Sequence, residues 1–199
     1  MASEESFSSL GKMEALSRLF RESGYSPAES VSYVPANGSE VHYSSKMYLE
    51  GIDFNLIYFP LKHLGHKCVT GVTGELLSKL AHPRTLEVRL GVSAKLDFTH
   101  IKEFWLGICA AAKEYGYDQV GLDLVPSKNG LAISMSASGE TLLITRKRQP
   151  AAKSMDLICV SGSLGAAYLG MQVLEKESLN FVDHGAEQPN LNEYKMLIG

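Results

Sequence analysis

Along "RTLEVRLGVS" the chain alternates, with Leu86, Val88, Leu90 and Val92 on one side and polar residues on the other. A period of two is the signature of a half-buried strand. "EVHYSSKMYLEG" repeats it more weakly through Val41 and Tyr43, and "DQVGLDLV" and "GLAISMSASGE" supply two more strands, joined by a turn through Pro126 to Gly130. "TLLITR" is a further strand candidate. Elsewhere the period changes to that of a helix. Leu10, Met13, Leu16, Leu19 and Phe20 predict a first helix stopped at Gly24. The segment after it is turn-rich, with Pro27, Pro35 and an Asn37-Gly38 pair that reads as a tight turn. A second helix runs from Pro60 to about Ala81. Its interior run Thr70, Gly71, Val72, Thr73, Gly74 consists of poor helix formers, which marks either close packing or a site facing the backbone. "THIKEFWLGICAAAKEYG" is the clearest helix, with Thr99 as the expected N-cap. Its apolar face is Ile101, Phe104, Trp105, Ile108, Cys109 and Ala112, and Gly116 ends it. "MDLICVSGSLGAAYLGMQVLEKE" reads as a buried strand, a Gly/Ser turn and a helix bearing Leu164, Tyr168, Met171 and Leu174. Strands that alternate in polarity, interleaved with helices, predict an α+β fold whose sheet is covered by helices on one face.

Composition narrows the picture only modestly. With 199 residues, 45% hydrophobic and 21% charged, the chain suits one ordinary domain, or one domain plus part of another. A net charge of −3 leaves no basic face for nucleic acid, and "TRKRQ" (145–149) reads as a solvated loop. Cys68, Cys109 and Cys159 are far apart and show no zinc spacing, so they are expected as buried free thiols. "MASEESFSSLGK" has neither a basic n-region nor an apolar h-region, so no signal peptide is expected. No apolar run is long enough for a bilayer, and a cytoplasmic location is expected.

Candidate chemistry is sparse. "SGSLGAA" (161–167) offers amides at a helix start, which can bind phosphate. It lacks the further glycines of a dinucleotide fingerprint and the lysine of a P-loop, so a plain turn capped by Ser163 is the simpler reading. Asp123 is either a magnesium ligand near the end of a strand or an outward-facing residue of an alternating one. Ser44 and Ser45 offer hydroxyls. His63, His66 and His82 show no metal-triad spacing and read as surface or capping residues.

"YLEGIDFNLIYFPLKHLGHK", "EFWLGICAAAKEYGYDQVGLD", "GLAIS" and "DLICVSGSLGAAYLGMQVLEKE" together resemble thiamine-monophosphate kinase of the Bacteroidetes type. That family lies in the superfamily of aminoimidazole ribonucleotide synthetase, and the resemblance runs from about Leu10 to Tyr194. It implies an N-terminal α+β domain whose sheet forms half of a dimeric barrel. It further implies ATP, magnesium and thiamine phosphate bound near the interface, with the γ-phosphate passed to thiamine phosphate. The domains it implies are 1–150, for dimerisation and nucleotide, and 151–199, the truncated start of a C-terminal domain.

Carried over residue by residue, the resemblance fails where the chemistry should be. A magnesium-binding aspartate of the family falls at Lys46, the substrate-contacting histidine at Asp53, and the metal-binding aspartate of the site-facing helix at Gly74. The glycine before the conserved aspartate is Leu122, and an ATP-contacting arginine falls near Gln149. An early aspartate pair corresponds to Glu29 and Ser30. What the resemblance retains is a metal set of Glu29, Ser44, Ser45 and Asp123, a nucleotide set of Trp105 and Asp123, and Asp53 at the substrate position. Lys46 beside metal ions is costly, since like charges about 4 Å apart repel by roughly 4 kcal/mol at an effective dielectric near 20. An ammonium can instead replace one ion and touch phosphate directly.

Three functional readings follow. One is a kinase-like protein that has lost phosphoryl transfer, another an active kinase with a rearranged metal site, and the third a non-catalytic module pairing with a complete family member. A homodimer is expected in isolation, because the sheet would otherwise expose a broad apolar face.

Overall fold

The computed structural model describes residues 17, 32–33, 38–142, 144, 151–162 and 164–184, with backbone alone at 32, 33 and 177–184. The expected first helix apart from Ser17, which is helical, the Asn37 half of the tight turn and "TRKRQ" lie outside them. The elements are β1 (Ser32–Tyr33), β2 (Ser39–Leu49), α1 (Leu61–Ser78), β3 (His82–Ser93), α2 (Phe98–Tyr115), β4 (Gln119–Ser127), β5 (Ala132–Leu142) and α3 (Ala166–His184). The fold is α+β, with one five-stranded sheet in the order β1-β2-β5-β3-β4.

β5 pairs antiparallel with β2 from Leu49↔Ala132 to Ser39↔Leu142, and antiparallel with β3 on its other side. β3 and β4 are parallel, so their connection must cross the sheet, and α2 is that crossover. β4 and β5 are therefore not a hairpin, as the short turn between them suggested; β3 lies between them. Pro126 belongs to β4 itself, where an edge position tolerates its missing N–H. Thr141 and Leu142 of "TLLITR" complete β5, and the rest of that segment, apart from residue 144, lies outside the described residues.

α1 and α2 cover one face. Leu64, Cys68, Val69, Val72 and Leu76 of α1 and Phe104, Ile108, Ala111 and Ala112 of α2 pack with Leu86, Val88, Leu90, Ile133, Met135 and Ala137 of the sheet. The helices approach at two glycines. A Cβ on Gly65 would meet the Phe104 carbonyl, and one on Gly107 the Lys62 carbonyl, in each case closer than real Cβ atoms come. α2 begins at Asp97 rather than at Thr99, because the Asp97 carboxylate accepts from His100 N at 3.0 Å while His100 Nδ1 accepts from Asp97 N at 3.3 Å. Gly116 closes it at φ 74°, as its sequence position predicted.

The opposite sheet face mixes polar and apolar residues. Ser45 bonds Ser136, Thr85 bonds Ser138, and Glu87, Arg89 and Asp123 are exposed there, among the exposed Tyr43, Met47, Val125 and Leu142 and the buried Val41. The expected strand "DLICV" is not a strand among the described residues. Residues 151–162 are exposed throughout, Met155 and Ile158 both at 94%. Of the cysteines only Cys68 is buried; Cys109 is half-buried and Cys159 exposed.

Candidate functional site

β2 turns Ser44, Lys46 and Tyr48 toward α1, because alternate residues of a strand share a face. α1 answers with Cys68, Gly71 and Glu75, spaced three and four apart on one helical face. The two elements engage in order. Tyr48 Oη donates to the Cys68 carbonyl at 3.2 Å. Gly71 has no Cβ where the Tyr48 hydroxyl and the Lys46 stem pass. Further along, Ser44 Oγ donates to Glu75 Oε2 at 2.6 Å, and Lys46 Nζ lies 2.9 Å from Glu75 Oε1. The glycine in α1's interior that looked unfavourable for a helix is thus the point where a strand side chain crosses it. Thr73 is buried for a different contact, donating to the Val69 carbonyl at 2.7 Å and bonding Tyr117 Oη at 2.9 Å.

Glu75 is the residue that sequence reasoning missed. It adjoins Gly74, the position implied for a metal-binding aspartate, and it holds the lysine that looked misplaced. Only the helical register shows which of the two neighbours faces β2. The Ser44 hydroxyl above all holds the Glu75 carboxyl below its ordinary range; burial opposes it, and the Lys46 ammonium adds to the lowering. Ser44 itself is buried, while the Lys46 and Glu75 side chains keep 36% and 42% exposure and so stay open to solvent. Burial raises the Tyr48 phenol above its ordinary value and pushes the Cys68 thiol up to about 12, so neither is a nucleophile at neutral pH.

The other candidates are dispersed. Asp53 closes the turn after β2, where its Oδ2 accepts from Leu49 N at 2.8 Å. Lys67 Nζ donates to its backbone carbonyl at 3.1 Å, so the residue is already engaged locally. Ser45 faces the side opposite Ser44 and donates to the Met135 carbonyl at 3.2 Å. Asp123 is exposed opposite Arg89, on the face away from the helices. It is three strands from β2, or roughly 14 Å at the usual interstrand spacing. Trp105 lies half-buried against the core on the helix side, so the fold does not bring it to Asp123. Glu29 is outside the described residues.

Magnesium needs oxygen ligands about 2.0–2.1 Å away. Within one chain Ser44, Ser45 and Asp123 point to different places, and the carboxylate at the helix is engaged by an ammonium. No cluster of three His, Cys, Asp or Glu able to hold a metal occurs among the described residues. The donors described in one chain therefore do not fit the ion that the resemblance implies. They form an ammonium and a hydroxyl converging on a carboxylate.

Comparison with known proteins agrees with the fold. No family model matches the chain. The thiamine-monophosphate kinase of Bacillus subtilis (strain 168) is 25% identical over 130 residues, covering 65% of this chain and 40% of that protein. The thiamine-monophosphate kinase of Aquifex aeolicus (strain VF5) is 27% identical over 146 residues, covering 69% and 46%. The matches thus span less than half the length of these curated relatives. Among solved structures, AaThiL complexed with AMPPCP and TMP superposes with a TM-score of 0.74 at 17% identity, over 95% of this chain and 58% of that one. The chain is similar in sequence to thiamine-monophosphate kinases and shares their fold.

Proposed function

We propose that this thiamine-monophosphate kinase-like protein no longer transfers phosphate to thiamine phosphate and keeps the domain as a cytoplasmic, dimerising scaffold. One observation carries the reading: where the resemblance calls for a metal-binding carboxylate, Lys46 stands instead, 2.9 Å from Glu75. Phosphoryl transfer in such sites depends on ions that neutralise charge on the transferring group. A lysine–glutamate pair supplies one positive charge, already compensated. A structural neighbour is complexed with AMPPCP, an ATP analogue, and nucleotide binding without magnesium is compatible with an ammonium facing the phosphates.

In this reading residues 1–150 form the dimerisation and nucleotide domain, and 151–199 open a second domain. The exposed, largely apolar 155–160 segment, which has no sheet to join among the described residues, is the part of it expected to need one. The homodimer is supported by the outer edge of β4, which no other strand among the described residues pairs and where Leu122, Leu124 and Val125 are 41%, 52% and 50% exposed. The test is a coupled assay of the purified chain with ATP, magnesium and thiamine phosphate. No turnover above background is expected. Turnover of about 1 per second or more, ordinary for kinases, would overturn the reading.

A further inference from the structure

We infer that Ser44 and Lys46 form a subsite for a phosphoryl anion, and that Glu75 is its built-in competitor. The inference rests on the reading that this corner descends from a phosphate-handling site, and it concerns only this chain's residues. Ser44 and Lys46 are two apart on one face of β2, and each addresses a different oxygen of the same carboxylate, at 2.6 Å and 2.9 Å. Two donors spanning two oxygens of one anion is also how a phosphoryl group is held, since it presents several strong acceptor oxygens. Glu75 thus occupies its own chain's anion subsite.

The surroundings allow exchange. Lys46 and Glu75 are each more than a third exposed, and ion pairs this open to water are weak. Ser44 is the fixed partner, 3% exposed, and the Lys46 stem passes over Gly71. An incoming anion therefore has to displace a single carboxylate from two donors that are already in place.

The probe is inorganic triphosphate without magnesium, titrated calorimetrically into the full chain at low ionic strength. Glu75→Gln removes the competing charge and is expected to tighten binding at least tenfold over wild type. Adding Lys46→Ala to that variant should abolish the gain, and adding Ser44→Ala should weaken it. Equal affinity of wild type and Glu75→Gln would overturn the inference, as would a Lys46→Ala/Glu75→Gln double variant that binds as tightly as Glu75→Gln. Should Glu75→Gln fail to fold by circular dichroism, Lys46→Ala in the wild-type background decides. The weak binding of wild type must then fall at least tenfold, and unchanged binding sinks the subsite. The probe has no adenine and no reaction is followed, so kinase turnover could refute the proposed loss of catalysis while leaving this result standing, and the reverse.

Discussion

Glu75 shows what a residue's neighbours in space add to its neighbours in sequence. Lys46 is conspicuous in the sequence because it stands where an acid is expected. Its partner is not, because Lys46 and Glu75 are 29 positions apart and two adjacent helix residues, Gly74 and Glu75, compete for the facing position. The pairing has a consequence for acid stability. The Glu75 carboxyl is held below its ordinary 4.5, by Ser44 first and Lys46 next, so the folded protein binds its proton later than the unfolded chain does. The stabilisation is therefore complete above about 4.5 and is lost as pH falls through the folded value. In urea melts Glu75→Gln should be less stable than wild type at neutral pH by at most about 1 kcal/mol, given the exposure, and the gap should close in acid. A gap that persists unchanged below the ordinary value would show that the charge is irrelevant. Asp53 carries a similar lesson, since a turn closed by its own carboxylate looks in sequence like a ligand for something else.

Elements were legible where periodicity and punctuation agree. β2, α1, β3, α2, β4 and β5 all fall within a few residues of where alternation, helical spacing, Pro60 and Gly116 put them, although β4 runs on through Pro126, expected in a turn. The N-cap of α2 lies two residues before Thr99 because His100 acts as the return arm of a capping box, a role more often filled by Glu or Gln. The apolar run 155–160 predicts a buried strand, yet it carries no information about whether a sheet is there to receive it, and the segment is exposed. The glycines of α1 and α2 signalled close packing, and the structure assigns the contacts. Gly107→Ala would drive a methyl into the Lys62 carbonyl, which the helix can escape only by moving away from α1. The expected loss is about 1–3 kcal/mol, exceeding the roughly 1 kcal/mol that alanine gains over glycine in a helix. Denaturant midpoints check it, and a stabilised Gly107→Ala variant would mean that the crossing is looser than the geometry requires.

At the scale of the molecule, strand order was invisible in the sequence. Both faces of the sheet can be predicted from alternation, but neither the parallel β3–β4 pair nor the central place of β5 can. The face away from the helices is less continuously apolar than alternation alone predicts, because serines and charged residues interrupt it. The exposed leucines of the β4 edge are the better reason. Light scattering at micromolar concentration should give a dimer mass for the wild type and a monomer for Leu124→Lys, with unchanged far-ultraviolet dichroism. A monomeric wild type would remove the dimer from the proposed function.

The position of β5 also reaches into how the chain comes to be folded. The strand that lies between β2 and β3 is the last of the sheet to be made, so neither of its neighbours has a completed edge until residue 142 is available. During synthesis β2 must wait, open-edged, for a partner some ninety residues downstream. Such long-range pairing predicts slow folding. Until the central strand arrives, β2 and β3 are the surfaces a chaperone would have to guard.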